Sequence, residues 1–165
     1  LLPRVQSPYS AGKLAGELMI RSYVVTFGLW ATTLRYFQVY GPGQPSEGSY
    51  ALVTGIFLKQ ANEGKALTIE GDGSQSRDFV HVKDVARANV AALKIDSQGL
   101  PINIGTGVAY SVKSLADMLS SNQTFLPPRK IDLPATLSTT ERAQELLGWQ
   151  SSIDLEKGMR ELLNP

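Results

Sequence analysis

The sequence predicts a fold of the α/β class. Short runs rich in β-branched and aromatic residues alternate along the chain with amphipathic segments of helical period. Strands that alternate with helices of about ten or more residues are typical of layered α/β domains. The composition, 42% apolar and 19% charged among 165 residues, is that of a globular protein. A chain of this length can bury one sizeable core, so we expect one domain with room for a small lobe.

Charge and residue usage exclude several classes of function. The net charge is +1 and there is no basic run, which argues against nucleic acid or an anionic membrane surface as a partner. The chain has no cysteine and a single histidine, so disulfides, thiolate chemistry and a dedicated metal site are not expected. The longest apolar stretch, residues 23–34, is too short to span a bilayer, and no signal peptide is visible. We therefore expect a cytoplasmic protein.

The first predicted element is a helix over residues 8–27. Ser7 can cap its N-terminus, Pro8 suits the first helical position, and Gly28 ends it. An apolar stripe along this helix contains Leu14, Leu18, Met19 and Val25.

Tyr9 and Lys13 are four residues apart and therefore lie on one face of this helix. A lysine ammonium beside a phenol favours the phenolate, which makes tyrosine usable as a general acid or base near neutral pH. A bare Tyr-x-x-x-Lys spacing is usually only a surface pair on an amphipathic helix. Whether the two residues are an acid/base pair or a surface pair depends on the motifs that follow along the chain.

Periodicity and turn residues predict the other elements. In chain order they are a strand at 30–37, a loop at 40–45, a helix at about 49–63, strands at 67–69 and 78–82, a helix at about 83–95, a strand at 101–105, a helix at 111–119, a loop at 121–132 and helices at 141–147 and 154–163. Gly71-Asp72-Gly73 predicts a hairpin or tight turn between its flanking strands. Ser138 and Glu141 have the spacing of a capping box.

Five motifs occur in an order that matches a known family. They are Tyr9-x-x-x-Lys13, the segment LRYFQVYGP at residues 34–42, GDGSQSRDFVHVKDV at residues 71–85, NIGTG at residues 103–107 and LLGW at residues 146–149. With these motifs the chain resembles the NAD-dependent epimerase/dehydratase family, the extended short-chain dehydrogenases that act on nucleotide-sugars. Within it, the chain is most similar to 4-epimerases of UDP-glucose and UDP-N-acetylglucosamine. The resemblance covers nearly the whole sequence.

The resemblance implies the C-terminal part of a Rossmann-type doubly wound sheet with a small α/β substrate-binding lobe. Residues 1–41 and about 83–110 would belong to the sheet, and about 42–82 and 111–165 to the lobe. Family members open with a strand, a Gly-x-x-Gly-x-x-Gly turn and a helix that holds the cofactor pyrophosphate. No such segment precedes Tyr9, nor does the family's catalytic Ser/Thr, and Gly105-Thr106-Gly107 lacks the third glycine. We therefore expect the dinucleotide-binding units to be missing, and exposed strand edges to favour a homo-oligomer or a complementing partner.

The resemblance also assigns catalytic and cofactor-binding roles. Tyr9 would take the sugar hydroxyl proton as hydride leaves for the nicotinamide of NAD, and Lys13 would favour the phenolate and hold the ribose. Tyr36 and Val39 match positions that line the nicotinamide, although Val39 is equally consistent with a core residue at a strand end. His81 follows the strand pattern and is expected to be structural rather than a base.

Substrate-binding roles fall on a larger set of residues. The positions that match the family are Gln38, Leu52, Val53, Phe57, Thr68, Glu70, Arg77, Arg129 and Asp132. Arg77 would hold the phosphates, although an ion pair with Asp78 or Glu70 is an alternative, and core packing explains the three apolar residues equally well. Arg129 and Asp132 would hold phosphate and uridine ribose.

Four positions depart from the family pattern. Gln38 replaces an asparagine that hydrogen-bonds the substrate, and Gly43 replaces a frequent arginine. Ile131 replaces the glycine of a P-R-x-G-D motif, and Thr139 replaces an aspartate that caps a helix, a role threonine can still perform.

The sequence thus predicts a homologue of NAD-dependent nucleotide-sugar epimerases and dehydratases with a UDP-sugar as substrate. We expect the chain by itself not to be catalytic. The alternative is a non-catalytic remnant that folds as an oligomer and binds a nucleotide or a protein partner.

Overall fold

The computed structural model describes residues 5, 7–129 and 133–163, and it confirms the α/β class. Within these residues the helices are α1 (Pro8–Phe27), α2 (Val53–Asn62), α3 (Val82–Ala92), α4 (Val112–Leu119), α5 (Glu141–Leu147) and α6 (Leu155–Leu163). The strands are β1 (Thr33–Tyr36), β2 (Gln38–Tyr40), β3 (Leu67–Glu70), β4 (Ser76–His81), β5 (Pro101–Ile104), β6 (Ala109–Ser111) and β7 (Gln123–Leu126).

Helix α1 has the predicted bounds. The Ser7 side chain accepts a hydrogen bond from the Ser10 N–H, and Gly28 ends the helix in the left-handed region at φ 64°. Its apolar stripe, however, does not belong to a hydrophobic core of the described residues, because no residue of α1 is buried. The helix is held through an ion pair between Glu17 and Arg35 on β1.

Strands β1 and β5 form a parallel pair in which Tyr36 lies opposite Ile104. Successive side chains of a strand point to opposite faces. Arg35 donates to Glu17 on α1, whereas Tyr36 donates from its hydroxyl to Asn89 on α3, with 2.9 Å between the oxygens. Helices therefore cover both faces of this pair, as in a doubly wound sheet.

The predicted strand at 30–37 is confirmed only over residues 33–36, and a further strand, β2, follows it outside the predicted bounds. β1 ends at Tyr36, and β2 pairs with a different partner, running parallel to β4 while β4 runs antiparallel to β6. The side chains of β2 and β4 separate two hydrophobic clusters. The first contains Tyr40, Phe57, Leu58, Leu67, Ile69, Phe79, Val112, Leu115, Ala116, Leu155 and Met159. The second contains Val80, Val85, Ala88, Ile102, Ile104, Ala143 and Trp149.

Helix α5 packs with the sheet part of the chain. Its Ala143 lies in the second cluster, and the indole Nε1 of the following Trp149 donates to the Asp84 carbonyl of α3 at 2.9 Å. The sequence assigned residues 111–165 to the substrate-binding lobe, and that division stays a prediction. Within it, residues 141–149 pack against α3 and β5 of the sheet part.

Strands β3 and β7 form a separate parallel pair that the sequence did not predict. The turn after β3 is tight, with Gly71 and Gly73 at φ 70° and 76°, yet β3 and β4 do not form a hairpin. The segment predicted as a loop at 121–132 contains β7. The short strand β6 was also not predicted, since its three residues carry no period of their own.

One helix start and one predicted helix cap differ from the prediction. Helix α2 begins at Val53 rather than near residue 49. The capping box before α5 does not form, because Ser138 is buried and its hydroxyl donates to Asp78. Thr139 does not cap either; its hydroxyl oxygen accepts from the Asn103 amide, and Thr140 takes the N-cap position without a side-chain hydrogen bond.

Over the described ranges, no helix combines the length and apolar character that crossing a membrane requires. The same ranges contain no group of three or more His, Cys, Asp or Glu side chains placed to hold a metal ion.

Candidate functional site

Tyr9 and Lys13 meet at the N-terminal end of α1. The Lys13 ammonium nitrogen lies 5.5 Å from the centroid of the Tyr9 ring, and the Tyr9 residue is 73% exposed. The helical spacing predicted this juxtaposition. An exposed phenol with a cation beside it fits a role toward a bound nicotinamide and sugar, because both groups can be reached from solvent.

The remaining residues assigned to the nicotinamide lie on β1 and β2. Tyr36 is half-exposed and its hydroxyl is engaged with Asn89. Val39 packs against the second hydrophobic cluster, so its two interpretations both stay open. Gln38 lies opposite Phe79 in the β2–β4 pair. Assignment of these three residues to a cofactor or substrate remains a prediction.

An open groove of about 900 Å³ lies beside the β3–β7 pair. Its walls come from the ends of both strands, from the turn after β3 and from the chain after β7. The lining residues are Glu70, Gly71, Asp72, Gln75, Phe125, Leu126, Pro128, Arg129, Leu133 and Pro134. The volume lies in the range of small-molecule sites, and apolar surfaces alternate with a few charged groups.

Charges of both signs line this groove. Arg129 forms an ion pair with Glu70, which holds the guanidinium against the wall. The hydroxyl and N–H of Ser74 hold the pKa of Asp72 below its usual range, so Asp72 is ionised at neutral pH. An anion that enters the groove therefore meets one arginine directly and has to displace or accommodate its carboxylate partner.

Arg77 lies next to the groove wall. Its Nη1 donates to the Leu133 carbonyl at 2.7 Å and to the Ser76 carbonyl at 2.8 Å. The two carboxylates considered as its alternative partners are engaged elsewhere, Glu70 with Arg129 and Asp78 with Thr106, Gly107 and Ser138. Arg77 thus contacts a groove-lining residue without lining the groove itself, and its role at the site stays a prediction.

The apolar candidates on α2 separate by burial. Leu52 is exposed just before the helix, Val53 is partly buried, and Phe57 is fully buried in the first cluster. Burial favours the core-packing interpretation of Phe57, which the sequence left open beside a role in the pocket. Thr68 accepts from and donates to the Gln60 amide, which ties β3 to α2. Asp132 lies outside the described residues.

Sequence reasoning missed about half of the groove. Five lining residues were not singled out: Gln75, Phe125, Leu126, Leu133 and Pro134. Two of them, Phe125 and Leu126, lie in the segment predicted as a polar loop at 121–132. The available signal was the apolar pair Phe125-Leu126 directly before Pro127-Pro128-Arg129. An exposed phenylalanine beside a candidate phosphate ligand indicates a binding surface.

His81 has the structural role expected for it. Its Nδ1 accepts a hydrogen bond from the Lys83 N–H at 3.1 Å and thereby caps α3. Burial lowers its pKa, which keeps the ring neutral and able to accept at neutral pH.

Comparisons with known proteins agree with this arrangement. A sequence profile of the NAD dependent epimerase/dehydratase family matches residues 2–105. The putative UDP-glucose 4-epimerase of Methanocaldococcus jannaschii is 35% identical over 96% of this chain and 52% of its own length. The UDP-glucose 4-epimerase of Thermotoga maritima, solved with UDP-glucose, superposes with a TM-score of 0.93 at 34% identity, over 98% of this chain and 54% of that one.

A second solved structure contains a nucleotide-sugar and NAD. The UDP-glucuronic acid 4-epimerase of Bacillus cereus, in complex with UDP-glucuronic acid and NAD, superposes with a TM-score of 0.88 at 33% identity, over 99% of this chain and 54% of that one. The chain therefore belongs to the NAD-dependent epimerase/dehydratase family. It spans about half the length of the curated relatives it matches. The resemblance to part of a nucleotide-sugar 4-epimerase, and the Rossmann-type fold it implied, are confirmed.

Proposed function

We propose that the groove binds the nucleoside diphosphate portion of a nucleotide-sugar of the UDP class, and that Tyr9 and Lys13 are the acid/base pair of an NAD-dependent epimerase-type site. The observation that carries the proposal is the groove itself, which combines Arg129, a neighbouring Arg77 and the apolar surfaces of Phe125 and Leu126.

The chemistry of the groove suits a nucleoside diphosphate. A guanidinium presents a charged, planar set of donors that matches phosphate oxygens, and two arginines suit two phosphates. Phe125, Leu126 and Pro128 offer apolar surface to a base and a ribose ring. Glu70 holds Arg129 in place before an anion arrives, so less side-chain entropy is lost on binding.

At the other site, NAD would supply a hydride acceptor that returns the hydride to the same sugar carbon. The phenol oxygen of Tyr9 would accept the proton of the sugar hydroxyl as that carbon is oxidised and return it after reduction. The Lys13 ammonium lies 5.5 Å from the ring centroid and would act together with Tyr9 on the bound sugar and cofactor. Both groups are exposed to an incoming substrate.

We further propose that this chain alone binds the nucleotide without turning over a sugar. Gly105-Thr106-Gly107 leads from β5 into the short strand β6 rather than into a helix, so it does not form the phosphate-binding turn of a dinucleotide site. Hydride transfer would then require a dinucleotide-binding unit in addition to these residues.

Titration of the chain with UDP tests this proposal. Arg77→Ala should weaken UDP binding about tenfold or more, because it removes a charged donor from the phosphates. The control is Arg142→Ala, since Arg142 also donates to a backbone carbonyl, that of Pro101, but lies away from the groove. Absence of UDP binding to the parent chain would refute the proposal, as would equal affinity of the two variants.

A second proposal concerns assembly. We propose that the chain associates, as a homo-oligomer or with a complementing partner, through α1 and the neighbouring segment. Tyr23, Phe27 and Trp30 are exposed there, and β1 and β5 form only a two-stranded pair within the described residues. A well-folded monomer at high dilution in sedimentation velocity would contradict this proposal.

A further inference from the structure

Asp78 carries a fully buried carboxylate that the proposed nucleotide site does not itself use. Its Oδ1 accepts from the N–H and the hydroxyl of Thr106, both at 2.7 Å. Its Oδ2 accepts from the Gly107 N–H at 3.0 Å and from the N–H and hydroxyl of Ser138 at 3.1 and 2.5 Å. We refer to Asp78 with Thr106, Gly107 and Ser138 as the Asp78 cluster.

The cluster joins three parts of the chain that are distant in sequence. Asp78 lies on β4, Thr106 and Gly107 form the turn between β5 and β6, and Ser138 ends the segment 133–138. Packing at this junction is close: a Cβ on Gly105 would lie 2.5 Å from the Ser138 hydroxyl and 2.8 Å from Asp78 Oδ2. Glycine at position 105 is what allows Ser138 to reach the carboxylate.

Segment 133–138 is also attached to the start of β4. Ser76 pairs with Ala135 in a parallel bridge, in which the Ser76 N–H donates to the Pro134 carbonyl and the Thr136 N–H donates to the Ser76 carbonyl, each at 3.0 Å. The first two residues of the segment, Leu133 and Pro134, line the groove, and the Leu133 carbonyl accepts from Arg77. One end of the segment is thus a wall of the groove and the other end is fixed by Asp78.

We infer that Asp78 and Ser138 are positioning residues for nucleotide binding, because they hold the groove wall at Leu133–Pro134 and, through the Leu133 carbonyl, the Arg77 guanidinium. The inference rests on the proposed function of the groove. A buried carboxylate served by several donors holds those donors rigidly, since a lost partner would leave a desolvated charge. The cluster therefore fixes the wall without contacting the ligand.

Ser138→Ala is the most discriminating variant. It removes one hydroxyl from the Asp78 cluster and keeps the backbone N–H that donates to the carboxylate. Ser97→Ala is the matched control, because Ser97 is similarly buried and its hydroxyl likewise has two hydrogen-bond partners. The partners of Ser97 are the carbonyls of Ala31 and Leu100, far from the groove, whereas the Ser138 hydroxyl donates to Asp78 and accepts from the Gly107 N–H. Urea unfolding of both variants measures their losses of stability, so that UDP affinities are compared between variants that are folded to the same extent.

UDP affinity of the whole chain is the first measurement. Ser138→Ala should weaken UDP binding about three- to tenfold, the equivalent of one lost hydrogen bond, and Ser97→Ala should leave it unchanged. Equal affinities in the two variants would overturn the inference. Asp78→Asn, which turns an amide toward the Gly107 and Ser138 donors, should weaken binding further if it folds.

Amide hydrogen exchange separates this inference from the proposed function. Exchange at the Thr136 N–H should be several-fold faster in Ser138→Ala than in Ser97→Ala, with or without UDP. If the parent chain does not bind UDP, the proposed function fails, and unequal exchange still supports the fixed wall. Equal exchange in the two variants refutes the positioning role whatever the UDP result.

Discussion

At the scale of single residues, a second buried carboxylate, that of Asp84, differs from Asp78 because a guanidinium is among its hydrogen-bond donors. Asp84 on α3 accepts from Arg87 at 2.6 Å, from the N–H and hydroxyl of Ser152, and from the N–H of Ile153. Burial by itself raises the pKa of Asp84, but these donors outweigh burial and the net pKa lies below its usual value. Ionised Asp84 therefore holds the chain after Trp149 against α3.

This network predicts a loss of stability in acid. A pKa that is lower in the folded than in the unfolded state contributes stability above about pH 4, the unfolded value, and this contribution disappears as the pH falls through the folded value. The free energy of unfolding in urea should therefore fall as the pH is lowered through and below about 4, and it should fall less in Asp84→Asn.

At pH 7 Asp84→Asn should be less stable than the parent by about 3 kcal/mol, because an amide nitrogen would face the Ser152 and Ile153 donors. Asp117→Asn is the control, since Asp117 is exposed and its main partner is Lys113 on the same helix. A parent and an Asp84→Asn variant with parallel pH profiles would contradict the role given to Asp84.

Residue-level features of the site could be predicted where they are local. The Tyr9–Lys13 contact follows from a four-residue spacing in a well-capped helix, so periodicity alone was sufficient. The spacing of Phe57 could not decide between a core and a pocket position, because apolar residues recur with the same helical period in both cases. Ser138 was misassigned because a capping box competes with a distant carboxylate that sequence spacing does not reveal.

At the scale of elements, α1 differs from the other helices. It has 20 residues, none of them buried, and two glycines in its interior, Gly12 and Gly16. Its shape in the isolated chain therefore depends on intrinsic propensity, the Ser7 cap and the Glu17–Arg35 ion pair rather than on a core. Elements with so little packing open more readily than the strands beside them.

Gly16→Ala should accordingly strengthen α1. A Cβ at Gly16 meets nothing within 4 Å, so the substitution adds helix propensity without a clash and should stabilise the helix by about 0.5 to 1 kcal/mol. Circular dichroism and amide exchange in α1 measure the gain. Gly158→Ala on α6 is the opposite case, because its Cβ would lie 2.3 Å from the Tyr40 hydroxyl oxygen, and it should destabilise the chain.

Elements could be predicted from sequence better than their pairing. Both ends of α1 agree with its capping residues, and the strand at 101–105 agrees closely with β5. Strands β3 and β7 pair with each other although all elements from β4 to α4 lie between them in the sequence. No local sequence pattern therefore indicates that they meet. Of the hairpin or tight turn predicted after β3, the tight turn is present without strand pairing, since turn residues indicate a reversal of the chain but not its hydrogen-bonded neighbours.

At the scale of the molecule, the sheet of β2, β4 and β6 separates two cores that share no buried residue. The first core supports the groove through β3, α2 and α4, and the second supports the β1–β5 pair that faces α1. The proposed nucleotide groove is therefore supported by a hydrophobic core, whereas the Tyr9–Lys13 pair lies on a helix that has no buried residue. This asymmetry is why we expect nucleotide binding and association to be separable properties.

Val25→Glu tests the association. Val25 is 78% exposed on α1, and a carboxylate there should prevent contacts through this helix and shift the chain to a monomer in sedimentation velocity. Val90→Glu is the control, since Val90 is also exposed, at 58%, but lies on α3. UDP affinity should be the same in both variants. Equal assembly of the two would place the interface elsewhere.

The pairing of β1 with β5 also has a consequence during synthesis. Strand β1 ends at Tyr36 and its only partner within the described residues ends at Ile104, so β1 stays without that partner until the ribosome has added the residues between them. At about 5 to 20 residues per second this interval lasts roughly 3 to 14 s. Throughout it the aromatic side chains of α1 and the following segment are accessible to other nascent chains. Hydrophobic capture by a holding chaperone, or by the partner surface that we propose for α1, would protect the chain during this interval.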